Sequence, residues 1–437
     1  MTYECVFNSD STTVAGRSID STLMLHTFLL IWLAAQTFHP LTAYNLVIDT
    51  QRKGINSYFQ SLRRDYEQLL EGYEIPTVSK KRFLGKIELT EITVQNVTVE
   101  STSDILAETD HYLKIEHLHA RLHGLYKHNV LFIHNTGDFE INIRDLNATL
   151  GPFVPVNIKG IPYLNQEILC SISHKEDKMS VRGGILRWLA KKRLKSTMEE
   201  DLEGIFCDSL VGILDKEIRG SLAKFNLLLP VNEAITVSYL LSGQPLLLPN
   251  GAVRTFHKGV TADSHVGANF TPTTIDSDHD VIYQIHENLL SEIVQAVCRR
   301  GFIDGNFTSD EKDVLITCQK AFITVRNMET TKTANILLTL LLRFHDGEET
   351  ILTKKYSVTV LYNNQLKLQL RLKSEIIDTD DRSKQYSEQM FSILSEVFRS
   401  RISLPLPLPL GAQAERAMIS LQPDRIIFAT DFVFPKR

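Results

Sequence analysis

Residues 169–225 run LCSISHKEDKMSVRGGILRWLAKKRLKSTMEEDLEGIFCDSLVGILDKEIRGSLAKF. The first part, Leu169 to Val181, is short and strand-like. After it, apolar residues recur at helical spacing: Ile185, Leu189, Leu194, Met198, Leu202, Ile205, Leu210, Ile213, Leu214, Ile218, Leu222 and Phe225. Steps of mostly three to five predict one long amphipathic helix. Lys191, Lys192, Arg193, Lys195, Glu199, Glu200, Asp201, Asp215, Lys216 and Arg219 fill its other face. A long helix with a cysteine inside it, Cys207, and another cysteine on the strand before it, Cys170, is the element around which the rest of the chain can be arranged.

The chain is 437 residues long, enough for two or three domains, and its 43% hydrophobic and 23% charged content is that of a globular protein. A formal net charge of −5 excludes a generally basic nucleic-acid binder, so no nucleic-acid partner is expected. The apolar run Leu23 to Thr37 is shorter than the ~20 residues of a membrane span and contains His26. It reads as a signal-peptide core, with Ala43 near the cleavage point and residues 1–43 removed. Glu4, Asp10 and Asp20 outnumber Arg17 ahead of it, so Met24 is an alternative start.

Of five cysteines, Cys5 precedes the cleavage point; Cys170, Cys207, Cys298 and Cys318 remain, an even set with three connectivities open. Bridges persist in oxidising compartments, and sequons at Asn96, Asn147, Asn269 and Asn306 agree with export. The expectation is a secreted, extracellular glycoprotein.

Along the chain, a helix is predicted from about Thr50, its cap, to Glu71, with Gly72 and Pro76 ending it. Its apolar face is Ile55, Tyr58, Phe59, Leu62, Tyr66, Leu69 and Leu70. From Phe83 to Thr149 the period becomes two, a meander of antiparallel strands with Asn135-Thr136-Gly137-Asp138 as a turn. The long helix follows. Leu227 to Asn250 is apolar and broken by prolines, and Asn250 to Ser277 reads as a loose polar connection. Then the pattern recurs. Asp280 is expected to cap a helix carrying Ile282, Ile285, Leu289, Ile293 and Val297. Strands follow at Phe322–Val325, Ile336–Phe344, Tyr356–Tyr362 and Leu366–Leu372, with Asn363-Asn364 as a turn. A helix over Ser383–Ser400 and a final strand, Ala417 to Phe434, close the chain. The order helix, meander, helix thus occurs twice, as an architectural repeat.

Cys170, Trp188-Leu189, a long amphipathic helix, Cys207 and Leu227-Leu228-Leu229-Pro230-Val231 together resemble the bactericidal/permeability-increasing protein family, which includes lipopolysaccharide-binding protein and the plasma lipid transfer proteins. Arg52-Lys53-Gly54-Ile55 with Ile75-Pro76 resembles its N-terminal helix. Leu404-Pro405-Leu406-Pro407, Ser420-Leu421-Gln422-Pro423-Asp424 and Phe428-Ala429-Thr430-Asp431-Phe432-Val433 resemble its closing strand. The likeness runs from about Tyr44 to Phe434.

The resemblance implies an α+β fold, an elongated boomerang of two barrels. Each barrel is a twisted antiparallel sheet wrapped on a long helix, and a central antiparallel sheet joins them. The implied domains are an N-terminal lipid-binding barrel over 44–230, central sheet and linker over 231–250, a C-terminal barrel over 251–415 and a closing strand over 416–437. It implies a Cys170–Cys207 disulfide; Cys298 and Cys318 are a second candidate pair outside the shared one. The region between Cys298 and Ser383 is short for the family.

The function implied is lipid binding or transfer, with phospholipid-type acyl chains in apolar grooves between helix and sheet. Exposing a long acyl chain to water costs on the order of 10 kcal/mol, so extracting it from a lipid phase requires a dry groove to receive it. Candidate groove residues are Ile55, Phe59, Leu62, Tyr66, Met198, Ile205, Ile213 and Phe225, all equally readable as packed core. Expected partners are lipids and phospholipid, lipoprotein or membrane surfaces, with a monomeric chain, bound phospholipid and no cofactor. One alternative is a lipopolysaccharide-binding defence protein, although Arg121 and Lys127 are a thin remnant of the basic strand tip of such members. The other is a structural glycoprotein with filled barrels. Lys191, Lys192, Arg193 and Lys195, with Arg182 and Arg187, read as a solvated helix face. His111, His117, His119, His123, His128 and His134 form a histidine-dense stretch, read as a pH-responsive positive patch; no metal site is expected. No G-x-S-x-G, H-E-x-x-H, P-loop or G-x-G-x-x-G pattern is present, so no enzyme is expected.

Overall fold

The computed structural model describes residues 43–434 apart from 83–84, 108–109, 131–132, 165–166, 174–177, 185, 224–225, 263, 265–266, 269, 310–311, 329–330, 364–365, 377–383 and 409–411. The expected signal segment therefore lies outside the described residues, as do Phe225 and Asn269. Among the described residues no helix is long and apolar enough to cross a membrane. The chain is mixed helix and strand, mostly strand, with helices α1 (Arg52–Leu70), α2 (Arg187–Ala223), α3 (Glu287–Arg299) and α4 (Lys384–Arg401).

Alternation of apolar and polar residues produces two large antiparallel sheets. In the first, Gly85–Ala107, Asp110–Val130 and Ile133–Phe153 are long neighbours, edged by Glu74–Ile75 and Val78–Arg82 on one side and by Leu169–Ser173 and Lys178–Arg182 on the other. Its inward residues, among them Leu89, Val99, Ile115, Leu122, Phe139 and Ile143, join α1 and α2 in one apolar core. The second sheet runs Gly305–Ser309, Lys312–Met328, Thr331–Phe344, Glu349–Tyr362, Lys367–Ile376 and Ser403–Pro405 in that order, and packs against α3 and α4.

The third sheet gathers strands from distant parts of the chain. Its order is Leu246–Leu247, Val253–His257, Leu46–Thr50, Val281–His286, Arg425–Val433 and Gln413–Gln422. Two places where the sequence predicts otherwise are explained here. The segment 250–277 is not simply a loose connection: Val253–His257 pairs with Leu46–Thr50, and Phe256 and Phe270 pack with Tyr44. The chain also ends in a hairpin rather than one strand, with Gln422 opposite Arg425 across the turn at Pro423-Asp424. Residues 231–250 supply only the strand Leu246–Leu247 to this sheet; beside the closing hairpin, its other strands, Val253–His257, Leu46–Thr50 and Val281–His286, come from outside the expected 231–250 and 416–437 boundaries.

Tyr239 and Tyr283 each donate a hydroxyl hydrogen bond, to the carbonyls of Pro405 and Pro407 at 2.7 and 2.8 Å. The Leu-Pro run thereby hangs on the central strands, and burial raises both phenol pKa values above the ordinary range.

Both expected helix caps are displaced. Thr50 ends a strand, and α1 starts after Gln51, whose N–H donates to the Asp280 carbonyl. Val281 to Ile285 is buried at every position, as a strand enclosed on both faces requires. The helix therefore begins only at Glu287, with His286 Nδ1 accepting from Asn288 N at 3.1 Å. Asp280 instead accepts from Phe432 N at 2.9 Å and lies 3.5 Å from Lys53 Nζ.

Asn135-Thr136-Gly137-Asp138 is not a turn but strand, opposite Leu125 to His128. Gly137 is small because a Cβ there would lie 2.1 Å from the Arg182 carbonyl oxygen and 2.8 Å from the Tyr126 ring. The glycine marks close packing, and the hairpin closes beyond it, where Val130 pairs with Ile133.

Candidate functional site

Helix α1 lies along the strand Gly85–Ala107, with Phe59, Leu62, Tyr66 and Leu70 facing inward. Bulges between Thr90 and Thr93 and between Gln95 and Thr98 interrupt that strand's ladder with its neighbour. Beyond Thr93 the other edge of this strand has no partner strand among the described residues, so its backbone donors are satisfied otherwise. Glu71 accepts from Asn96 N and Val97 N at 3.1 and 2.9 Å, Glu67 accepts from Val99 N at 2.9 Å, and Asn56 Oδ1 accepts from Asp104 N at 2.9 Å. The same device recurs in the second half. There Glu287, Ser291 and Gln295 of α3 accept from Val325, Ile323 and Ala321 N at 2.6, 2.9 and 2.8 Å. These contacts fix each helix lengthwise and leave packing to set its distance from other elements.

Helix α2 closes the first core from the other side. Among the described side chains its buried positions are Ala190, Leu194, Thr197, Phe206, Ser209, Leu210 and Leu214, while Trp188 is exposed. The inward stripe thus includes Phe206, absent from the sequence-predicted face. Cys170 and Cys207 are joined, with Cα atoms 5.5 Å apart, and Cys298 pairs with Cys318 at 5.3 Å. The first bridge ties the middle of α2 to Leu169–Ser173; the second ties the end of α3 to its strand.

Between α1 and α2 lies a small cleft of about 10 Å3, open to solvent on one side and lined by Leu62, Asp65, Tyr66, Leu69, Ile213 and Leu214. Asp65 is the one carboxylate of that lining. Of the eight groove candidates, the structure brings Leu62, Tyr66 and Ile213 together here. Phe59 is packed core against Phe153, ring centroids 5.4 Å apart, and Ile55 is half-buried at its edge. The side chains of Met198 and Ile205 lie outside the described residues. Leu69 and Leu214 complete the wall and carry no signal in the sequence beyond helical spacing. That is room for about one water molecule, so seating an acyl chain requires α1 and α2 to part.

The histidine-dense stretch does not form one charged patch. His111 and His128 are buried, and His111 Nδ1 lies 2.8 Å from Asp104 Oδ1. Burial, with a smaller contribution from Arg193, holds the His128 pKa below its usual value, and His128 is fully enclosed. Among the described residues no three His, Cys, Asp or Glu side chains come together as metal ligands. Of the sequon asparagines, Asn96 and Asn306 are exposed, whereas the Asn147 amide accepts from His117 N and donates to the Asp145 carbonyl.

No protein-family model and no curated protein sequence matches the chain. Solved structures do. A crystal structure of lipopolysaccharide binding protein superposes with a TM-score of 0.60 at 13% identity, over 90% of this chain and 100% of that one. Takeout 1 of Epiphyas postvittana gives 0.31 at 12% identity, over 39% of this chain and 91% of that one. P47 from Clostridium botulinum A2 gives 0.25 at 8% identity, over 90% and 98%. The first of these shows a shared fold.

Proposed function

We propose that the chain is a secreted lipid-binding protein that holds acyl chains between α1, α2 and the first sheet, without covalent chemistry. The observation carrying this reading is the cleft between the two helices, walled by Leu62, Tyr66, Leu69, Ile213 and Leu214, on a fold shared with a lipopolysaccharide-binding protein. Apolar walls offer a chain the dry surroundings that make its removal from water favourable. The Cys170–Cys207 bridge anchors α2 midway, so the flanking segments can move without the helix leaving the sheet. The two-barrel form, phospholipid as the occupant and a monomeric chain belong to the same proposal. Two disulfides support export to an oxidising compartment, and exposed Asn96 and Asn306 are the proposed glycan acceptors.

Native mass spectrometry of the purified protein, before and after mild organic extraction, tests this. The expected result is co-purifying phospholipid that extraction removes and added phospholipid restores. A chain that neither carries nor takes up lipid sinks the reading and supports filled halves.

A second reading, lipopolysaccharide binding, is favoured by one further observation. Register places Lys80, Lys81, Lys86, Lys127 and Arg182 at one end of the first sheet, with Glu88 and Asp138 among them. This basic edge is richer than Arg121 and Lys127 alone. Competition between lipopolysaccharide and phospholipid in the same measurement separates the two readings.

A further inference from the structure

The ribbon Pro155–Ile158 and Ile161–Leu164 stands apart from the larger sheets. Its turn, Lys159-Gly160, has φ of 53° and 88°, the double left-handed conformation of a tight two-residue hairpin. The pairs Ile158↔Ile161 and Val156↔Tyr163 place four apolar side chains on one face. Asn157 and Leu164 lie on the other. Asn157 is bonded to the body of the protein: its N–H donates to Gln244 Oε1 at 2.8 Å and its amide donates to the Gly243 carbonyl at 3.1 Å. Leu241 N donates to the Gly160 carbonyl at 2.8 Å, and Leu164 is buried. The face of Pro155, Asn157, Pro162 and Leu164 therefore lies towards the protein, and the face of Val156, Ile158, Ile161 and Tyr163 towards water. Ile158 and Ile161 are each 47% exposed and Tyr163 40%.

An outward apolar face held by inward polar bonds is the reverse of an ordinary surface hairpin. It has cations at its margin. Lys159 is exposed at the turn, Lys216 is exposed on α2, and the Arg219 guanidinium lies 4.7 Å from the Tyr163 ring centroid. Arg219 also donates to the Leu164 carbonyl at 3.2 Å and pairs with Asp215 four residues before it. Isoleucines flanked by lysine, arginine and an amphipathic tyrosine match the boundary between acyl chains and anionic head groups, where one apolar anchor alone is marginal and a basic margin supplies the second attraction. Ile213 and Leu214 of the cleft wall lie six and five residues before Arg219, about 8 Å along the helix.

We propose that this ribbon docks the protein on an anionic phospholipid surface through Val156, Ile158, Ile161 and Tyr163, next to the mouth of the α1–α2 groove. Only the delivery of lipid to that groove rests on the reading given above; docking stands by itself.

The test is co-sedimentation of the full chain with vesicles of equal parts phosphatidylcholine and phosphatidylglycerol, against the double variant Ile158→Ser/Ile161→Ser and against Lys159→Glu. Circular dichroism and intact disulfides confirm folding. The double variant is expected to lose about tenfold or more in partitioning. Lys159→Glu, which leaves the apolar face intact, should lose less and only at low salt. Unchanged partitioning of the double variant, or no binding by the wild-type chain, overturns the proposal. A wild-type dimer that the double variant dissolves also overturns it, because the face would then cover a second copy. Lipid content by mass spectrometry is read separately. A chain that sediments but carries no lipid keeps the docking surface and loses the groove reading, and a chain that carries lipid but does not sediment does the opposite.

Discussion

His257 sits in the central sheet with both ring nitrogens engaged. Nδ1 lies 2.7 Å from the Tyr239 carbonyl and so donates, leaving Nε2 to accept from the Thr255 hydroxyl at 2.8 Å. Burial pushes its pKa down from 6.5 to about 4. The folded ring is neutral, while the unfolded chain takes up a proton below about pH 6.5. Its stabilising contribution is complete above that pH and is lost as pH falls from there towards 4, on the order of 3 kcal/mol in all. His257→Gln, which keeps a donor and an acceptor, should flatten the urea midpoint between pH 6.5 and 4; a slope equal to wild type would show that other groups carry it. Such a residue is hard to read from sequence, because its environment is built from segments far away in the chain. Gly137 shows the same difficulty in reverse. Its neighbours Asn135 and Asp138 are turn formers, yet the glycine answers to Tyr126 and Arg182, which only the sheet brings near.

Helix and strand positions were largely legible, since periods of 3.6 and 2 depend on local burial. What sequence misplaced were the helix starts. Thr50 and Asp280 have capping chemistry, but the strands Leu46–Thr50 and Val281–His286 claim the backbone just where the caps would act. The helix-to-strand carboxylate bonds were also invisible, because a glutamate on a helix looks like any solvated residue. Glu71→Ala should speed amide hydrogen exchange at Val97 and cost about 1 kcal/mol, measured by denaturant unfolding. Cys207→Ser opens a bridge spanning 37 residues and should cost roughly 4 kcal/mol in the loop-entropy account, with a matching loss of retained lipid under the proposed function. Full lipid retention at unchanged stability would remove the clamp role of that bridge. That Leu62, Tyr66 and Ile213 face one another follows from their helical faces, whereas the difference between a cleft wall and packed core depends on how two helices approach.

The whole molecule turns on the central sheet, whose strand order cannot be inferred from short segments that lack a shared register signal. At its middle, Arg254 Nε and Nη2 reach Asp49 Oδ1 and Oδ2 at 2.6 and 2.8 Å, and Gln284 donates to the same carboxylate at 3.1 Å. Both charged side chains are nearly inaccessible. Asp49→Ala strands a buried guanidinium and should destabilise by about 3–5 kcal/mol in urea unfolding, whereas replacing both partners with apolar residues should cost less.

The place of Leu46–Thr50 within that sheet also sets an order of events during synthesis. Its two partners, Val253–His257 and Val281–His286, leave the ribosome more than two hundred residues later. Everything needed for the first sheet, α1 and α2 lies between residues 52 and 223 and is complete by then. For that interval the nascent chain carries a finished apolar core trailing a bare five-residue strand, a template for pairing with any neighbouring chain. Pairing of this one strand must therefore wait for residues 253–286, however early the first large sheet forms.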